Sequence, residues 1–184
     1  MSAQDTNASV ENSPVEKVGA ALKEHGAAGE VVRLAVDVPT AQAAAAELGC
    51  PVAAIANSLI FAAVHGGDEP DEPVLILTSG AHRVDTKRVA RMLGVRKLKR
   101  ADPDFVYEAT GQRVGGVAPV GHPRRLRTLV DVRLREHETV WAAAGEAHTV
   151  FPTSFDELVA LTGGTPAEVG RPTEEASSGD SSGP

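Results

Sequence analysis

Apolar and polar positions follow two periods along this chain, and the change from one to the other outlines its elements. Val15, Val18 and Leu22 recur three and four residues apart before Gly26, which predicts a helix opening at Pro14. Val31 to Val36 reads as a short strand. Thr40 can cap an alanine-rich helix that stops at Gly49, ahead of Pro51. Ile55 to Val64 is an apolar run that Asn57 and Ser58 interrupt, and polar residues near a strand start point to a sheet edge or into a site. Gly66 to Asp71 forms a turn, from which Pro73 to Thr78 returns as the second strand of a hairpin.

Asp85 or Thr86 caps the next helix, with Val89, Ala90 and Leu93 inward, Lys87, Arg88 and Arg91 outward, and Gly94 at its end. Val95 to Lys99 is a short basic strand. A helix near Asp102-Pro103 turns Phe105, Val106 and Ala109 inward and closes at Thr110-Gly111. Leu126 to Val132 forms a strand carrying Asp131. Val140 to Ala144 and Thr149 to Phe151 form a hairpin with His148 at its tip, and Ser154 caps a last helix from Phe155 to Leu161. No regular βαβ period is present, so the expected fold is α/β, a single domain with a mixed, largely antiparallel sheet flanked by helices. The expected limits are 14–165, between polar tails over 1–13 and 171–184 that read as disordered.

Composition narrows the function classes. With 184 residues and 42% of them apolar, one domain with a substantial core is expected. The single cysteine, Cys50, excludes an internal disulfide and a multi-cysteine zinc site. The absence of a long apolar run or a signal-peptide pattern leads to the expectation of a cytoplasmic protein with no membrane span. The net charge of −7 hides a basic half. Arg83, Lys87, Arg88, Arg91, Arg96, Lys97, Lys99 and Arg100, with Arg124, Arg125, Arg127, Arg133 and Arg135, make up thirteen of the 18 Lys and Arg residues. Such clustering fits either a local phosphate-binding face or solvated helix and strand ends.

The loop Gly115-Gly116-Val117-Ala118-Pro119-Val120-Gly121-His122 concentrates backbone freedom, a rigid proline and a titratable ring. Alone it reads first as a well-ordered surface turn. No Walker loop, dinucleotide fingerprint or G-x-S-x-G elbow is present, which leaves nucleotide cofactors and a Ser-His-Asp triad without local support. His82, His122 and His148 match no familiar ligand spacing, so neither a metal nor a cofactor is expected.

Asn57-Ser58-Leu59-Ile60, Thr78-Ser79-Gly80, a helix opening at Asp85, the GGVAPVGH loop, Leu129-Val130-Asp131, Trp141 to Gly145 and His148-Thr149, in this order, resemble the YbaK/EbsC family. That family includes the editing domain inserted in bacterial prolyl-tRNA synthetases and its free-standing relatives, and the resemblance covers roughly residues 15 to 165. It implies a curved mixed sheet and hydrolysis, in trans, of the ester of mischarged tRNA of the Cys-, Ala- or Ser-tRNA type. The implied partners are the tRNA 3′ end and, through the family, prolyl-tRNA synthetase. Gly115, Gly116 and Asp131 become the expected catalytic positions: loop amides would hold the oxyanion, and the carboxylate would orient the amino group or a water. Asn57, Ser58, Ser79, Gly80, Pro119, Gly121, His122, Gly145 and His148 become the expected substrate-binding positions. One departure stands out. The family usually has lysine where this chain has Asn57, so a charge-assisted phosphate contact is missing. The alternative is therefore a catalytically impaired relative that binds tRNA ends or small aminoacyl-type ligands. Deacylation of another activated carbonyl compound is the third reading.

Overall fold

The computed structural model describes residues 12–172. Its organising element is the ten-residue strand β2, Ile55–Val64, which pairs along most of its length with antiparallel β3, Glu72–Ser79. The opposite edge of β2 is shared. Its first residues, Ile55 and Ala56, pair in parallel with Trp141 and Ala142 of β7, Val140–Ala143. Its last residues, Phe61 to Val64, pair antiparallel with β5, Lys97–Arg100. Residues 57–60 therefore have no strand partner on that edge, which opens a notch in the sheet between β7 and β5.

The remaining strands extend the sheet on both sides. β8, Thr149–Thr153, pairs with β7 and carries the two-residue β1, Val32–Arg33, at one edge. β6, Arg127–Asp131, runs parallel to β3 and is followed outward by β9, Thr165–Ala167. Four of the seven pairings are antiparallel and three parallel, so the sheet is mixed. A separate ribbon joins β4, His82–Val84, to β10, Gly170–Pro172.

Five helices cover the two faces, and local chemistry accounts for their limits. α1, Pro14–Glu24, opens with a reciprocal capping box between Ser13 and Glu16. Thr40 caps α2, Ala41–Leu48, Asp85 caps α3, Thr86–Leu93, Asp102 caps α4, Pro103–Thr110, and Ser154 caps α5, Phe155–Thr162. On one face, Val18 and Leu22 of α1, Val106 of α4, and Phe155, Leu158 and Leu161 of α5 cluster with Ala56, Ile60, Leu75 and Leu77 of the sheet. On the other, α3 packs over Phe61, Val74 and Ile76, and α2 packs near Ile55 and Val150. Period-2 alternation along β2 thus sends even-numbered residues to the first face and odd-numbered ones to the second.

Differences from the sequence-based expectation lie where pairing is non-local. β1 shrinks to two residues because it pairs only with Val150 and Thr149 at the sheet edge, and Val36 beyond it is exposed. β6 ends at Asp131 because that side chain accepts the amide of Arg133 and starts a 3-10 turn over Val132–Glu136. β4, β9 and β10 have no clear periodicity of their own, and the last two carry the chain past residue 165. Of the expected tails, Asn12, Ser13, Arg171 and Pro172 belong to the described chain; residues 1–11 and 173–184 lie outside the described residues.

Candidate functional site at a notch in the sheet

The notch places Asn57 and Ser58 at the only stretch of β2 without a second partner strand. Both are half-buried amid an otherwise mostly buried strand. Ser58 lies between Ala56 and Ile60 on the first face, beside the cluster that also holds Val117, Ala118 and Ala144. Its Oγ is buried and has no hydrogen-bond partner, the one such side-chain atom among the described residues. A buried hydroxyl left unpaired costs about 1–3 kcal/mol, which marks the position as one that a ligand would complete.

Asn57 lies on the opposite face, in register with Thr78, and the row continues to Asp131 on β6. Asp131 is only 1% exposed. Its Oδ2 accepts from the Ser79 amide at 3.0 Å, His82 Nδ1 at 2.9 Å and Thr78 Oγ1 at 3.4 Å, and its Oδ1 accepts the Arg133 amide at 3.0 Å. A carboxylate offers about two acceptor directions per oxygen; three donors crowd Oδ2, and one meets Oδ1, which keeps a direction open. Buried and bonded on both oxygens, Asp131 braces the end of β3. Through Ser79 the carboxylate ties the end of β3 to the start of β2. There the Ser79 hydroxyl donates to Ala53 O at 2.8 Å and the Gly80 amide donates to Ile55 O at 2.8 Å. Gly80 has no room for a side chain, since a Cβ would run into the carbonyl of Val52.

The glycine loop reaches the notch from β7. The amide of Gly145 donates to the carbonyl of Gly116 at 2.9 Å. A Cβ on Gly116 would lie 2.6 Å from the carbonyl carbon of Glu146, so only glycine permits this approach. Gly115, at φ 97°, has open space where its side chain would be. Val117, Ala118, Pro119 and Val120 are buried, which anchors the loop in the core. Gln112, absent from the sequence-based site, is the device that sets its shape. Fully buried, it donates from Nε2 to Val120 O at 3.1 Å and accepts the Ala118 amide on Oε1 at 2.7 Å. A glutamine between Gly111 and Arg113 gives no local sign of burial, which is why sequence reading missed it. The amide of Ala118 is thereby occupied, whereas those of Gly115 and Val117 donate to no described acceptor.

Two expected histidines are placed apart from the notch. His122 turns back on the loop, Nε2 against Ala118 O at 2.8 Å, and burial pushes its pKa below the usual histidine range. Gly121 beside it, at φ 83°, packs on Val18. His148 sits in the β7–β8 turn toward β1, its Nε2 3.1 Å from Arg33 Nη1 and 3.5 Å from Glu146 Oε2, with Nδ1 3.6 Å from Asp37. Four strand spacings separate β8 from β6, about 19 Å, so His148 and Asp131 do not converge on one group. Several of the basic residues are paired, as Lys99 with Asp71, Arg127 with Glu72, and Arg133 with Glu136. Among the described residues no group of three or more His, Cys, Asp and Glu side chains is placed to hold a metal, and no helix is long and apolar enough to cross a membrane.

Fold and site together define a class: an α/β domain whose polar centre is main chain, a small hydroxyl and an amide side chain, gathered at a break in a mixed sheet. The comparisons place it further. Residues 35–161 match the model of the aminoacyl-tRNA editing domain, and the chain belongs to that family. The uncharacterised protein YwhH of Bacillus subtilis is 30% identical over 129 residues, 70% of this chain and 78% of its own length. A proline–tRNA ligase of Listeria innocua is 25% identical over 76 residues, only 13% of that much longer enzyme. A crystal structure described provisionally as a trans-editing enzyme for prolyl-tRNA synthetase is 34% identical. It superimposes with a TM-score of 0.77, covering 87% of this chain and 98% of the other.

Proposed function

We propose that this chain is a trans-acting aminoacyl-tRNA deacylase that hydrolyses the ester of a tRNA charged with cysteine, alanine or serine. The observation that carries the reading is the notch, with the orphan Ser58 hydroxyl on the loop's side and the free amides of Gly115 and Val117 in the loop. An aminoacyl ester is already activated, so a positioned water and an oxyanion site supply what hydrolysis needs without a protein nucleophile. Water adds to the ester carbonyl, the two amides take the charge that develops on its oxygen, and the bond to the ribose oxygen breaks. That oxygen leaves as the 3′-terminal hydroxyl after taking a proton, and the free amino acid departs. Ser58 and Asn57 would hold the polar ends of the aminoacyl-ribose. Asp131 would act at one remove, by fixing Ser79, Gly80 and His82.

The experiment is release of labelled alanine, cysteine or serine from mischarged tRNA, with Gly116→Ala as the variant that displaces the loop. Turnover by the wild type that falls at least tenfold in Gly116→Ala supports the proposal; no turnover on any of the three substrates rejects it. A second reading, a binding protein for tRNA ends or small aminoacyl ligands, draws on Asn57, which brings no charge to the notch. Asn57→Lys separates the two: activity gained from an inactive parent favours the binding reading for the natural chain, and an active parent favours the deacylase.

A further inference from the structure

A cleft of about 490 Å³ lies behind the loop, between α1, the loop's second half and the C-terminal end of α5. It is lined by Pro119 to Gly121 and by Lys17, Arg124 and Arg125, with Thr128 and Thr162 among its polar walls and Glu24 as its one carboxylate. Among the described residues, the three cations carry no ion pair that would offset their charge. Arg33, Arg88, Lys99, Arg127 and Arg133 each meet a carboxylate, whereas Lys17, Arg124 and Arg125 have no described acidic partner. Arg125 lies against Gly163, past the last turn of α5, where a helix end favours positive charge. Three unpaired cations around one concavity, in a chain of net charge −7, form a local positive well.

We infer that this cleft is a phosphate subsite that anchors the RNA backbone of the substrate while the loop's other side meets the aminoacyl ester. The inference rests on the deacylase reading for its ligand and adds a site away from the notch. One loop then serves both, because the run from Gly115 to Gly121 passes from the notch to the cleft wall within seven residues. A phosphate held by Arg124 and Arg125 brings charge-assisted contacts but no base selectivity.

The test compares full-length wild type with Arg124→Ala/Arg125→Ala, and with Lys17→Ala/Arg124→Ala, which changes two exposed side chains and leaves Arg125 in place on the α5 end. Lys97→Ala/Arg100→Ala on β5 removes equal charge at the far end of β2. Binding of uncharged tRNA is measured across salt concentrations, and hydrolysis is measured on mischarged tRNA and on a short aminoacyl-adenosine ester. Expected for the cleft variants is a salt slope shallower by about 1.4 to 1.8, for two lost phosphate contacts. KM for tRNA should rise about tenfold with kcat and short-ester hydrolysis unchanged. An equal change in the β5 variant, or equal losses on both substrates, overturns the inference. So does saturation of the cleft by inorganic phosphate that leaves tRNA binding untouched. Wild type inactive on both esters rejects the deacylase reading, while the salt slopes still decide the cleft.

Discussion

Asp131→Asn is the substitution that best tests how the site is supported. The side chain keeps its shape but exchanges one acceptor oxygen for a donor, inside a pocket that presents two backbone amides, the Thr78 hydroxyl and the His82 ring to it. With the new NH2 toward Arg133, the amide of Arg133 loses its acceptor; with it toward Ser79, the Ser79 amide does. Either way one donor at a 1% exposed position is unsatisfied, at about 1–3 kcal/mol, and the surviving bonds lose their charge assistance. The expected total is about 2–4 kcal/mol of unfolding free energy. For a domain of this size that is a drop in Tm on the order of 4–16 °C. Urea unfolding of wild type and variant should show a lower midpoint at unchanged slope. Activity of the folded variant should fall through misplacement of Ser79 and Gly80, in parallel with stability. A variant as stable as wild type but inactive would refute the positioning role and return Asp131 to direct catalysis.

Other substitutions probe the notch and loop separately. Ser58→Ala removes an unpaired buried hydroxyl, so stability should hold or rise slightly in denaturant titrations while kcat/KM on mischarged tRNA falls about tenfold, the loss of one ligand hydrogen bond. Gly115→Ala and Gly116→Ala should differ in kind. The first meets only the strain of φ 97° in open space, about 1–2 kcal/mol, whereas the second collides with the Glu146 backbone and should break the Gly116–Gly145 bond, seen as exposure of the Gly145 amide to hydrogen exchange. His122, depressed in the fold by burial, takes up a proton more readily when unfolded. Stability should be full above about pH 6.5 and decline as pH falls below it, and His122→Gln should flatten that slope in urea midpoints measured between pH 7 and 5.

Much of this protein follows from short-range rules that act within a few residues. Thr40, Asp85, Asp102 and Ser154 cap their helices, and Gly49, Gly94, Gly111 and Gly163 end them in left-handed geometry, because each needs only its own neighbours to satisfy the orphan amides and carbonyls. The long strand Ile55–Val64 and the glycine loop are equally legible, the one from its apolar run and the other from its composition. The family resemblance rests on that same order of local features.

The tertiary structure decided what depends on partners distant in sequence. β9 and β10 exist because β6 and β4 offer edges to them, at a separation no local period encodes. Asp131 and His148, read as neighbours in one site, lie strands apart. Asp131 turned out to be bonded on both oxygens, one of them by Ser79 and His82 about fifty residues earlier. The notch itself arises because β7 and β5 each claim only one end of β2. Asn57 and Ser58 were visible in the sequence as polar interruptions of a strand. That they face an unpaired edge, and that the Ser58 hydroxyl is buried without a partner, followed only once three non-local strands had taken their places.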